Sequence, residues 1–224
     1  EFRRVLFRSR ALVLHGTNAS NGSKHAADHQ PWFDEAYVER EANQWGFNFV
    51  RYLVFWAAIE PEKGVYDEAY LDEVEKRVKW YTDRGVHVVI DMHQDIYGYG
   101  VGGNGAPVWA TETDGKTAGQ VPLQDKFWWL GYIDPAVINA FRNFWEYDRH
   151  RYLQDHYIAA FQHVATRFKN NPQVLGYDLM NEPFPGDLGK AIDGSFQQDW
   201  LPKFYNRLIP AMRAVEPDKY LFFK

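Results

Sequence analysis

Apolar residues along this chain follow two alternating rhythms. Short β-rich runs recur at Ala11–Leu14, Phe47–Val54, Val86–Ile90, Val174–Leu179 and Tyr220–Phe223, and stretches with apolar residues three or four apart lie between them. Leu71, Val74, Val78 and Tyr81 share one helix face, which Asp67 is placed to cap and Gly85 to end. Tyr157, Phe161, Val164 and Phe168 make a second stripe. Leu201, Phe204, Leu208, Met212 and Val215 make a third, and Val38, Ala42 and Trp45 a shorter one before the second strand. Strands alternating with helices predict a parallel sheet covered by those helices.

Five strands joined by four crossovers fit either an open doubly wound sheet or five units of an eight-fold barrel. No Gly-x-Gly-x-x-Gly follows the first run, and polar or aromatic residues close nearly every strand, so the α/β fold expected is a TIM (β/α)8 barrel. A complete barrel takes about 250 residues. The 224 residues present are therefore expected to be a fragment covering about the first five β/α units, with residues 10–224 the N-terminal part of a single catalytic domain. Glu1–Ser9 looks like a translated sequencing adapter, and residues 1–9 are set aside as an artefact. Tyr220–Lys224 reads as a strand with nothing after it, which suggests a gene fragment open at both ends. Gln94–Asp134 far exceeds the usual connection of about two to six residues and is rich in Gly, Pro and Trp, as a functional loop would be.

Composition narrows the function classes. A formal charge of -5 and a pI near 5.9, without a basic stripe, argue against a nucleic-acid partner. Aromatic residues make up 17% of the chain and include 9 Trp, more than a core of this size needs and suited to a sugar-stacking cleft. The absence of Cys removes disulfides, thiolate catalysis and thiolate metal sites, and leaves the compartment open. No apolar stretch reaches the roughly twenty residues of a transmembrane helix.

The chemistry gathers at strand ends. Met180-Asn181-Glu182-Pro183 closes the apolar run Val174–Leu179 and puts a carboxylate where barrel enzymes keep their reacting groups. Glycosidic cleavage needs a proton donor on the leaving oxygen and a second carboxylate as nucleophile or base, and Glu182 suits the first role. Burial near that second carboxylate would raise its pKa, and Pro183 biases Glu182 towards an extended backbone. Asn181 can hydrogen-bond a sugar hydroxyl. After the third strand, Asp91-Met92-His93-Gln94-Asp95 sends His93 and Asp95 to one side, where both could touch sugar, while Asp91 reads as structural. Arg51 lies in a strand too buried for an unpaired guanidinium; its carboxylate partner is either the missing nucleophile or a plain ion pair. Lys24, in the loop after the first strand, is a candidate donor to glycan. Trp128, Trp129 and Trp109 are candidates for stacking walls, with core packing expected to explain at least one of them, and Asn104 within Gly100–Gly105 reads as turn geometry. His25 and His29 lack a third ligand, so no metal is expected.

Together Asp178-Leu179-Met180-Asn181-Glu182-Pro183-Phe184, His93-Gln94-Asp95, Gly102–Pro107 and Phe49-Val50-Arg51 resemble glycoside hydrolase family 5, in its endoglycoceramidase and glycosylceramidase-like branch. The resemblance spans residues 11–224. It implies a barrel that hydrolyses β-glycosides with retention and without a cofactor, Glu182 matching the acid/base and Asn181 the contact to the 2-hydroxyl. It further implies that Arg51 supports the nucleophile, that His93, Asp95 and Lys24 bind sugar, and that the nucleophilic Glu of the seventh strand lies outside this chain. The implied substrate is the glucosyl-ceramide linkage of a glycosphingolipid, with transient contact to membrane glycolipid. A β-glucanase, a β-glucosidase on soluble or steryl glycosides, and a non-catalytic sugar-binding barrel are the alternatives. The resemblance leans towards secretion.

Overall fold

The computed structural model describes residues 6–7, 10–19, 21–119 and 128–223. Most of the adapter-like Glu1–Ser9 lies outside them; Leu6–Phe7 pairs with Arg10–Ala11 in a two-residue antiparallel ladder apart from the main sheet. That main sheet is parallel and runs β1 (Gly16–Ala19), β2 (Phe49–Val54), β3 (His87–Met92), β4 (Val174–Asp178), β5 (Tyr220–Phe222), in the order of the chain. A doubly wound sheet reverses direction at a switch point, and none occurs in this order. Right-handed crossovers that always step the same way leave their helices on one face, as in a barrel wall.

Those helices are α1 (Glu35–Glu39, running on as a π-helical turn Arg40–Gln44), α2 (Glu68–Thr82), α3 (Pro135–Trp145), α4 (Arg151–Phe168) and α5 (Leu201–Val215). The expected stripes are the buried ones: Leu71, Val74, Val78 and Tyr81 on α2, and Tyr157, Phe161, Val164 and Phe168 on α4. Asp67 caps α2 by accepting from the Tyr70 amide at 2.9 Å. Val50, Tyr52, Val54, Val88, Ile90, Met92 and Tyr177 face the helices and are fully or almost fully buried. With a side-chain period of two, Phe49, Arg51, Val89, Asp91 and Asp178 turn to the concave face.

Two elements depart from the sequence reading. The first strand is Gly16–Ala19 rather than Ala11–Leu14, whose Val13 is 80% exposed. Asn48 fixes that register, receiving the His15 amide on Oδ1 at 2.7 Å and donating Nδ2 to the Val13 carbonyl at 2.8 Å. Helix α3, which the sequence reading had not marked, begins where the long loop was expected to stop: Asp134 caps it through the Ala136 amide, and Pro135 occupies its first turn.

A register shift in β4 sets Val174 opposite Val88 but Gly176 opposite Val89. This bulge brings Asp178 level with Asp91. A Cβ on Gly176 would lie 2.0 Å from the Tyr220 carbonyl oxygen, so only glycine fits between β3 and β5 at that point.

Candidate active site

Arg51 organises the concave face. Its Nε and Nη2 lie 3.0 and 2.7 Å from Asp178 Oδ2, and Nη2 also reaches Asp91 Oδ1 at 2.8 Å and Asn181 Oδ1 at 3.0 Å. The guanidinium thus finds two carboxylates on β3 and β4, and through Asn181 it orients the segment that carries Glu182. Asp91 does more than a structural filler would: its other oxygen, Oδ2, is 2.7 Å from His93 Nδ1. His93 Nε2 is in turn 3.3 Å from Asp95 Oδ2, and the same oxygen meets Lys24 Nζ at 2.7 Å and Asn104 Nδ2 at 3.1 Å.

Asp178, Arg51, Asp91, His93, Asp95 and Lys24 therefore form one continuous chain of contacts. Three carboxylates face two fixed cations, so the set is electrically balanced when His93 carries the third charge. Burial works against that charge, but the hydrogen bonds that His93 donates to Asp91 and Asp95 outweigh it and raise the imidazole above its ordinary value. Burial likewise opposes ionisation of Asp95, yet His93, Lys24 and Asn104 hold its carboxyl well below the usual range. Asn104, read from sequence as a turn former, is buried and bonds Asp95 through side chain and backbone.

Glu182 leaves this network on a constrained backbone. Gln94 Nε2 donates to the carbonyls of Asn181 at 2.8 Å and Glu182 at 3.0 Å, and Asn181 Nδ2 donates back to the Gln94 carbonyl at 3.0 Å. Held this way, Glu182 adopts φ +40° rather than the extended backbone expected before proline, because the tertiary hydrogen bonds outweigh the local bias. Glu182 is exposed among the described residues, and the second carboxylate expected to bury it is placed by the resemblance outside this chain. Gln94 itself escaped that reading, although its place between His93 and Asp95 was the available signal.

Beside the network opens a pocket of about 600 Å³ lined by Lys24, His25, Asp95, Tyr99, Asn104 and Trp128, among others. Of the tryptophan pair, Trp128 lines this pocket and Trp129 does not; both are partly exposed. Trp109 is no rim residue: it packs on Trp56 and donates its indole N–H to the Glu60 carbonyl at 3.1 Å. Tyr132, unmarked in the sequence, sits between Trp128 and Phe184, its phenol pushed up to about 12 by burial, with the charges of Asp95 and Glu182 adding to the rise. His29 turns to Tyr99, and among the described residues no group of three His, Asp or Glu side chains is arranged to hold a metal ion.

Comparison with known proteins gives the family. The family model described as Cellulase (glycosyl hydrolase family 5) matches residues 13–224. Endoglycoceramidase I of Rhodococcus hoagii is 38% identical over 63% of this chain and 27% of its own length, and the glucosylceramidase of Rhizopus delemar is 32% identical over 65% and 26%. Endo-glycoceramidase II from Rhodococcus sp. superposes with a TM-score of 0.88 at 44% identity, covering 96% of this chain and 49% of that one, and it has also been solved as a ganglioside GM3 complex. The chain thus spans about half of that solved structure and about a quarter of the two curated relatives. Its five strands and helices are those of a (β/α)8 barrel.

Proposed function

The chain belongs to glycosyl hydrolase family 5, and from that premise we propose that the protein cleaves the β-glycosidic bond between glucose and ceramide in glycosphingolipids, with retention of configuration. Glu182 protonates the leaving ceramide oxygen while a second carboxylate attacks the anomeric carbon from the opposite face. Water then attacks the glycosyl-enzyme ester, gives its proton to Glu182 and releases the sugar. Asp91, Asp95 and Asp178 serve Lys24, His93 and Arg51 in this network, and the resemblance gives the nucleophile's role to none of them. That role falls to a glutamate in the part of the barrel which the relatives carry and residues 1–224 do not.

Asn181 and His93 bind hydroxyls of the sugar at the scissile bond, and Lys24, Asp95 and Trp128 bind the glycan beyond it. The observation that carries the reading is the Arg51–Asn181–Gln94 lattice, which fixes the backbone of Glu182 at the carboxyl end of β4, the same end of the sheet at which Asp95 enters the polar pocket lined by Lys24 and Trp128. Glu182→Gln in the full-length protein should lower hydrolysis of lactosylceramide about 10²- to 10⁴-fold with disaccharide binding retained. On an activated aryl glycoside, added azide should restore turnover and yield the β-glycosyl azide, since that departure needs no acid. Unchanged hydrolysis in Glu182→Gln would refute the assignment; binding without hydrolysis by the unaltered protein would make it a sugar-binding barrel.

A further inference from the structure

The glycan side of the pocket is built from two loops that belong to different β/α units. Residues 21–30 follow β1 and bring Lys24; residues 95–106 follow β3 and bring Asp95, Tyr99 and Asn104. A lysine keeps considerable rotamer freedom, so a 2.7 Å contact between Lys24 and Asp95 requires the loop separation to be fixed by something else. The 95–106 loop is fixed by its own bonds: Asp95 and Asn104 exchange backbone hydrogen bonds, and Gly105, at φ +121°, passes so close to Gln94 that an added Cβ would lie 2.5 Å away. The 21–30 loop is anchored to the core at Gln30, whose Nε2 donates to the Tyr70 carbonyl at 3.4 Å and whose Oε1 accepts from Tyr52 at 3.3 Å, and it is tied to the 95–106 loop at His29.

His29 stands at φ +54°, a backbone that a residue with a side chain adopts only when its surroundings hold it there. Its Nδ1 is 2.9 Å from Tyr99 Oη, and the same hydroxyl is 3.5 Å from the Lys24 carbonyl. Burial outweighs the nearby Asp28 and lowers the imidazole pKa, and the His29–Tyr99 contact is a single hydrogen bond whose donor the imidazole tautomer decides. On its other side the His29 ring meets Phe55 at 5.7 Å, and Phe55 meets His93 at 5.9 Å. Tyr99 and His29 therefore join the two loops in the wall of the pocket, next to the Lys24–Asp95 pair, and back onto the histidine that orients Asp95.

We infer that Tyr99 and His29 are a positioning pair that fixes Lys24 against Asp95, and so govern affinity for the sugar beyond the scissile glucose rather than the rate of bond cleavage. The inference rests on the glycosidase reading above. In the full-length protein, Tyr99→Phe removes one hydroxyl and keeps the ring. KM for an aryl β-lactoside should rise about three- to ten-fold, the loss of one or two hydrogen bonds, with kcat within about two-fold and both parameters for the aryl β-glucoside unchanged. In a Lys24→Ala background the same substitution should have almost no further effect on KM, because the group it positions is gone. His29→Asn, which tolerates a left-handed backbone and offers an acceptor oxygen, should hold KM closer to the unaltered value than His29→Ala.

An unchanged KM in Tyr99→Phe, or equal losses of kcat on both glycosides as general loosening would give, overturns the inference while leaving the glycosidase intact. If the unaltered protein hydrolyses neither glycoside, the proposed function falls and the inference falls with it.

Discussion

Arg51 answers for two buried acids, and that sets its sensitivity. Replacement by Met would keep much of the volume but leave Asp91 and Asp178 facing each other across β3 and β4, and we expect a loss of about 3–5 kcal/mol in chemical denaturation. Lysine would keep one charge without the fork that serves Asp178, Asp91 and Asn181 together, so Arg51→Lys should recover only part of the loss. His93 gives the stability a direction with pH. Its folded pKa is raised above 6.5, so its contribution is complete below pH 6.5 and is lost as pH rises through the higher folded value. Asp95 acts oppositely: its folded pKa is below 3.8, so its contribution is present above 3.8 and is lost as pH falls through the lower value. Denaturation midpoints measured across pH should show both slopes, and His93→Gln should flatten the alkaline one; an unchanged alkaline slope would exclude His93 as its source. At this scale the sequence revealed that Arg51 needed an acid and that His93 and Asp95 share a side. It could not reveal which acids, because Asp178 reaches Arg51 through a strand bulge that no local pattern announces.

At the scale of elements, what was legible was what buries a full stripe. Helices α2, α4 and α5 follow their apolar spacing because that face lies against the sheet, and Asp67 caps as its position implied. Strand β1 was misplaced because Gly16-Thr17-Asn18-Ala19 has no apolar run; backbone pairing to β2 and the Asn48 brace select it. Trp109 is the tryptophan that core packing claims, and only the folded structure reveals Glu60 as its anchor. Glu60 is fully buried and receives the Trp56 indole at 2.9 Å, the Gly64 amide at 2.7 Å and His156 at 2.6 Å, tying the end of β2 to α4. Glu60→Ala should therefore cost about 3–5 kcal/mol although it lies outside the pocket, since three polar groups lose their acceptor together. A loss below about 1 kcal/mol in urea unfolding would mean that the cluster is wet and dispensable.

On the scale of the whole molecule, the sheet has two outer strands, β1 and β5, each paired on one side among the described strands. Phe222 and Phe223 are 36% and 60% exposed at the second edge. Residues 1–224 expressed alone should self-associate as concentration rises, visible by light scattering, and should not hydrolyse lactosylceramide. A monodisperse, active monomer would contradict both the edge argument and the placing of the nucleophile elsewhere. The pairing register of these strands also decides what joining them to further strands can achieve. Asp178 points inward level with Asp91 only in the alignment that the bulge between Val174 and Gly176 sets, and a one-residue slip in any added strand would turn its own inward carboxylate to the helix side. Supplying the remaining strands as a separate polypeptide should accordingly give a mixture of fully competent and fully dead assemblies: titration would change how many sites work, and each working site would turn over at the same rate.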